Sequence, residues 1–153
     1  MSGITATPES IEFYNQFKLQ RNSKSVPVKY RYVIYRIVNN DQNIDVVEKG
    51  DWETPWDDFV DNLSSAKDEK GKPLGAYAVF DMEFETLDGR EQQKLVFVAY
   101  TPDSLPVKQR MLYGSTRESF KSELGSGIHY TVQASSIDDL DLDRIVSAMR
   151  NKV

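Results

Sequence analysis

The chain has 153 residues, 39% hydrophobic and 28% charged, with a formal net charge of −5, which fits one soluble domain over residues 1–153 with a single sizeable core. The absence of cysteine excludes disulfides, thiolate catalysis and zinc–thiolate sites and is compatible with the cytosol, while the net charge disfavours general nucleic-acid binding and leaves room only for a local basic patch. No run of about eighteen apolar residues and no charged-then-apolar leader occurs, so neither a membrane span nor a signal peptide is expected.

Met1 to Ile4 is short and small, and is expected to be mobile. Thr7 is placed to cap a helix with Pro8 in its first turn, and Ile11, Tyr14, Phe17 and Lys18 follow near helical spacing. Arg21 to Lys29 reads as a polar loop whose cations, Arg21, Lys24 and Lys29, suit a phosphoinositide headgroup, solvation being the simpler reading. Tyr30 to Val38 alternates as a strand, Asn39 to Asn43 is a turn cluster, and Ile44 to Glu48 returns as the second strand of a hairpin. A helix capped by Thr54 is expected from Trp52 to Leu63, its core side formed by Trp56, Phe59, Val60 and Leu63.

Ser64 to Gly75 is charged and punctuated by Gly and Pro, a surface loop. Ala76 to Phe84 is a strand, Asp88-Gly89 a hairpin turn, and Lys94 to Tyr100 a central strand apolar on both faces. A short strand is expected at Ile128 to Ala134. A last helix begins near Asp138, capped by Ser136, with Leu140, Leu142, Ile145, Val146 and Met149 on its buried side.

Between the last two strands lies the most informative stretch. Asp103 and Ser104 are cap residues, Pro106 suits a first turn and Gly125 a helix end, framing about twenty residues or roughly 30 Å of helix. At about 100° per residue, Leu112, Thr116, Phe120 and Leu124 make a core stripe. Lys108, Met111, Ser115, Ser119 and Ser122 share another face within roughly 80°. Arg110, Arg117 and Lys121 line a flank.

The run from Tyr100 to Gly127 resembles the long helix of the ADF/cofilin family at Pro102, Asp103, Pro106, Val107, Lys108, Arg110, Met111, Tyr113, Ser115, Thr116 and Arg117. Gly114 stands where the family has Ala or Thr. The resemblance extends in order through Ser2-Gly3-Ile4, the hairpin, Ala76 to Phe84 and Val132 to Ser135, and so covers essentially the whole chain. It implies the ADF-homology fold, an α/β arrangement with a mixed sheet of five or six strands flanked by helices on both faces. The length argues against the two-domain twinfilins. The Ser-Gly start and the set Lys108, Arg110 and Met111 favour ADF/cofilin over glia maturation factor and coactosin.

The implied function is binding to actin monomers and filaments, with filament depolymerisation and turnover, severing as a further activity, and no catalysis. The resemblance places monomer contacts at Ser2, Gly3, Ile4, Lys108, Arg110, Met111, Ser115, Arg117 and Ser119, and inhibitory phosphorylation at Ser2. It places filament contacts at Arg90, Lys94, Arg144 and Arg150. One usual cation falls at Gln92, with Glu91 beside it, and the usual charged positions of the last helix fall near Ser147 and Ala148, so filament-side binding is expected to be weak. A monomeric protein of the cytoplasm and cytoskeleton is implied. The competing reading is a phosphoinositide-regulated scaffold using Lys24, Lys29, Arg31 and the helix cations, without productive filament disassembly.

Enzymatic readings are set aside. Asp81, Glu83 and Glu85 share one strand face, as an acid–base or metal cluster would, but the chain has one histidine, no phosphate-cradling Gly-rich loop and no nucleophile elbow. His129 has no second histidine with which to share a metal and is read as structural or solvent-facing. No cofactor and no metal site are expected.

Overall fold

The computed structural model describes residues 3–20 and 29–151; Ser2 and the cations Arg21 and Lys24 lie outside the described residues. Six strands form one sheet: β1 (Thr5–Ala6), β2 (Tyr30–Val38), β3 (Asn43–Asp51), β4 (Ala76–Glu85), β5 (Glu91–Tyr100) and β6 (Ile128–Ala134), in spatial order β1-β3-β2-β4-β5-β6. The middle of the sheet is antiparallel, whereas β1 joins β3 and β6 joins β5 in parallel. Helices α1 (Pro8–Leu19) and α3 (Val107–Leu124) cover one face; α2 (Trp56–Ser64), a 3₁₀ turn (Ile137–Leu140) and α4 (Leu142–Arg150) cover the other. The mixed sheet with helices on both faces is therefore the expected one.

Period-two alternation divides the core. Tyr32, Ile34, Phe80, Val96 and Val98 pack with α2 and α4, while Val33, Tyr35, Tyr77, Val79 and Phe97 pack with α1 and α3. Because both faces are covered, β4 and β5 read as nearly continuous apolar runs. The turn between β2 and β3 holds Asn39, Asn40 and Asp41 at φ of 56°, 55° and 62°, a left-handed region that Asn and Asp tolerate better than other side chains.

Several local expectations are corrected. From Ile4 onward the segment is anchored, since Ile4 is buried in the α1/α3 core and Thr5–Ala6 adds a strand to the sheet. Thr7 caps α1 as expected, accepting the Ser10 N–H at 3.2 Å. Neither Thr54 nor the Asp103-Ser104 pair caps its helix: α2 and α3 start after Pro55 and Pro106, whose extended backbones occupy the cap positions without a side-chain acceptor. The last helix is divided, because Asp141 is extended (ψ 114°) and instead caps α4 through the Asp143 N–H at 3.0 Å. Ser136 stands at the cap position of the 3₁₀ turn with extended backbone but makes no side-chain cap bond; beside it Asp139 accepts from the N–H and hydroxyl of Ser135. Leu142 then falls in the first turn of α4 and is 39% exposed rather than buried.

The core stripe of α3 is Tyr113, Thr116, Phe120 and Leu124, with Leu112 only half-buried. Phe120 explains the docking: its ring centroid lies 5.1 Å from Tyr35, 5.2 Å from Tyr77 and 6.1 Å from Phe97, one aromatic on each of three adjacent strands. Tyr113 turns inward because its ring lies over Gly75, where a Cβ would sit 2.9 Å from it. The Tyr113 hydroxyl accepts the Ile37 N–H at 3.0 Å, and the Tyr77 hydroxyl donates to the Tyr113 carbonyl.

Candidate functional site

With Tyr113, Thr116, Phe120 and Leu124 pointing into the sheet, helical geometry fixes what α3 shows outward. Met111, half a turn round the axis from Phe120, is 68% exposed, and Val107 one turn before it is 61% exposed. Lys108, Arg110 and Ser115 are also exposed, and Ser119 is half-buried. The hydroxyls of Ser115 and Ser119 donate back to the carbonyls of Leu112 (3.3 Å) and Thr116 (2.9 Å). Their protons are thus held by the helix itself, leaving a low surface that presents acceptor lone pairs.

The cations of this helix divide into two groups. Arg117 donates from Nη1 to Gln133 and from Nε to Glu118 at 3.1 Å; Lys121 donates to Thr131 Oγ1 at 2.9 Å and lies 5.8 Å above the Phe97 ring. Gln133 and Thr131 are both on β6, so these cations tie one flank of α3 to the sheet edge. Lys108 and Arg110 have no hydrogen-bond or ion-pair partner among the described residues. Helical spacing puts Arg110, Arg117 and Lys121 on one flank, and the placement of β6 separates them.

The N-terminal segment lies against the same helix. The Ala6 N–H donates to Glu123 Oε2 at 3.1 Å, which brings Gly3 and Ile4 beside the C-terminal half of α3. Gly3 is exposed with φ 77°, whereas the Ile4 side chain is inside and serves as the anchor. Glu123 and Val107 were not among the sequence-derived site residues. Val107 lies in the matched run, but the signal for Glu123, a carboxylate facing a strand of two residues, was too short to read.

The second set of cations lies at the other side of the sheet. By alternation Lys94 shares the face of Val96 and Val98, the face α4 covers, and the α4 residue Arg150 donates from Nε to the Glu85 carbonyl at 2.6 Å. Arg90 is held by Asp88 at 3.0 Å across the hairpin turn, and the Thr86 hydroxyl with Arg90 keeps the Asp88 carboxyl below its ordinary range. Carboxylates interleave with them: Glu83, Glu85 and Glu91 line the hollow beside Gln92. Arg144 sits among Asp138, Asp141 and Asp143. The structure thus brings Arg90 and Arg150 to the β4–β5 hairpin, with Arg144 a turn and a half away on α4, whereas Lys94 lines a separate hollow with Lys18, Leu19 and His129.

The remaining candidates have structural surroundings. Asp81 is buried and accepts from Gln93 at 3.1 Å and Gln20 at 3.5 Å, while Glu83 pairs with Arg31 at 3.0 Å. Arg31 also stacks 3.6 Å over Trp52 and donates to the Trp52 carbonyl at 2.8 Å, with the Lys29 ammonium 5.9 Å from the same ring. Among the described residues no group of three or more His, Cys, Asp or Glu side chains is arranged to hold a metal, and no helix is long and apolar enough to cross a membrane.

Comparison with known proteins bears on the family and the fold. The family of cofilin/tropomyosin-type actin-binding proteins matches residues 3–150. Actophorin of Entamoeba histolytica is 29% identical over 150 residues, 98% of this chain and 97% of that protein. Cofilin of Gibberella zeae is 30% identical over 154 aligned residues, 97% of this chain and 94% of that protein. Among solved structures, the cofilin of Streptomyces griseoflavus superposes with a TM-score of 0.78 at 26% identity, covering 97% of this chain and 98% of the other.

Proposed function

The chain belongs to the family of cofilin/tropomyosin-type actin-binding proteins, and from that premise we propose that it binds actin monomers through the outward face of α3 and promotes filament depolymerisation. The observation carrying this reading is the division of cations on α3: Lys108 and Arg110 stand exposed beside Met111 without a partner among the described residues, while Arg117 and Lys121 are tied to β6. Arg117 therefore contributes less than its place in the motif implies.

The N-terminal segment enlarges this surface. A helix face of eighteen residues is about 27 Å by 10 Å, roughly 300 Å². A stable interface buries about 800 Å² per partner, so α3 alone is too small and the neighbouring Gly3 edge supplies part of the rest. Ser2 precedes that edge, and a phosphate there adds nearly two negative charges, opposing contact with an acidic surface. No bond is made or broken in this account. Binding one actin conformation better than another shifts the filament equilibrium by the difference in affinity, and no residue is assigned a catalytic role.

Filament-side binding is proposed to be weak, and severing correspondingly minor. Arg90 and Arg150 already have partners, and carboxylates surround Gln92 and Arg144. Fewer free cations mean less steering toward an acidic filament, increasingly so as salt rises. Co-sedimentation with filamentous actin tests this: little protein in the pellet with monomer released to the supernatant is the expected result, and Gln92→Arg raises the pelleted fraction. Stoichiometric decoration by the unaltered protein at low micromolar concentration and about 0.15 M salt overturns it. The phosphoinositide scaffold has less support, because Arg31 is committed to Trp52 and Glu83. It predicts that actin is bound while filament mass stays constant.

A further inference from the structure

A groove of about 750 Å³ runs between α2, the 3₁₀ turn and α4, on the sheet face opposite α3. Val60 and Leu140 form its floor, and the Trp56 indole N–H donates to the Leu140 carbonyl at 2.8 Å, fixing α2 against the turn. Two large apolar side chains stand at its edge instead of filling the core: Ile137 is 55% exposed and Leu142 39% exposed. Leu142 also borders an adjoining hollow of about 290 Å³ that includes Trp52, Pro55 and Met82, so apolar surface continues along the molecule.

The rim is acidic. Asp57, Asp138, Asp141 and Asp143 line the groove against one guanidinium, Arg144. Local structure accounts for some of these carboxylates, since Asp141 caps α4 and Asp57 lies in the first turn of α2, where the helix dipole favours negative charge. That local role leaves their field toward an approaching partner intact, and Asp138 and Asp143 accept no hydrogen bond from another side chain among the described residues.

We propose that this groove docks a basic amphipathic helical segment of a partner protein, its apolar side chains seated between Ile137 and Leu142 and its Lys or Arg side chains facing the aspartates. Charge complementarity selects this occupant. An acidic surface is repelled by four carboxylates, and a second copy of this chain carries net charge −5 itself. A helix suits the shape, because anchors at i and i+4 lie on one face and long basic side chains reach a rim while their stems cover apolar floor. The groove lies on the sheet face opposite the monomer-binding surface of α3, shares Arg144 with the candidate filament contacts, and is tested without actin.

The test uses the full chain and a fluorescein-labelled model peptide of about 14 residues, roughly 21 Å of helix, built from Leu and Lys in amphipathic order. A scrambled peptide of the same composition and an amphipathic Leu/Glu peptide serve as controls. Fluorescence anisotropy is expected to give saturable micromolar binding of the first peptide alone, weakening as salt is raised. Leu142→Ser with Ile137→Ser, both on the surface, and Asp138→Lys with Asp143→Lys are each expected to cost at least about tenfold in affinity, with circular dichroism confirming the native fold. Equal binding of the scrambled or acidic peptide, unchanged affinity in both folded variants, or no saturation overturns the proposal. So does a concentration-dependent dimer in sedimentation equilibrium that Leu142→Ser abolishes, because a second copy is then the occupant.

Discussion

The Ala6 N–H donates to the Glu123 carboxylate at 3.1 Å across 117 residues of sequence, joining the strand at the chain start to the last turn of α3. With Ile4 buried beneath it, this bond sets the N-terminal edge and the long helix side by side as one surface. Glu123→Ala removes the acceptor and is expected to cost about 1 kcal/mol of stability. It also speeds amide exchange at Ala6 and weakens actin-monomer binding several-fold. Unchanged exchange at Ala6 means that β1 pairing alone holds the segment.

Gly114 interrupts the exposed side of α3, and a Cβ built there meets no atom within 4 Å. A glycine in a helix interior costs roughly 1 kcal/mol relative to alanine. Gly114→Ala is therefore expected to raise the denaturant midpoint by an amount equivalent to up to about 1 kcal/mol, with monomer affinity unchanged. A fall in affinity in the stabilised variant identifies Gly114 as a point of close approach by actin.

At Ser2 the expected order is set by charge. Ser2→Glu binds actin monomers more weakly than Ser2→Ala, because negative charge is added next to Gly3 at the edge of the α3 surface. Equal affinities of the two variants remove Ser2 from the interface.

Alkaline pH is expected to destabilise the fold through its tyrosines. Burial, and secondly the hydrogen bond to Glu48, pushes the Tyr32 phenol from 10.0 up to about 12. Burial also raises Tyr35, Tyr77 and Tyr113. A raised folded-state pKa means that the folded state keeps a proton the unfolded state has lost. The stabilisation is thus whole below pH 10 and falls as pH rises from there through about 12. Urea midpoints measured across this range, with phenolate absorbance followed in parallel, are expected to fall together with a cooperative rise in ionised tyrosine. Gradual ionisation with a constant midpoint contradicts the burial of these phenols.

How much of this was legible in the sequence depended on distance along the chain. Strands β2 to β6 and the Thr7 cap rest on neighbours a few residues apart, where alternation and cap residues are readable, whereas the two-residue β1 left no such signal. The inward turn of Tyr113 required Gly75 and Ile37, brought to it by the sheet, so the periodic stripe favoured Leu112 instead. The commitment of Arg117 and Lys121 depended on β6, and that of Arg31 on Trp52 and Glu83, none of it contained in local charge pattern. Prolines occupy the cap positions of α2 and α3, and the expected acceptors, Thr54 one residue before Pro55 and Asp103-Ser104 two to three before Pro106, lie outside the helix start.

Lys108 and Arg110, exposed and unpaired among the described residues, are proposed to bind the actin monomer. The direct measurement is the dissociation constant of Lys108→Glu with Arg110→Glu for labelled monomeric actin, alongside the thermal midpoint of the same protein. Reversing both charges is expected to weaken binding at least about tenfold, or 1.4 kcal/mol, with the midpoint unchanged because neither side chain has a partner to lose among the described residues. A folded double variant that binds monomer as tightly as the unaltered protein contradicts the account.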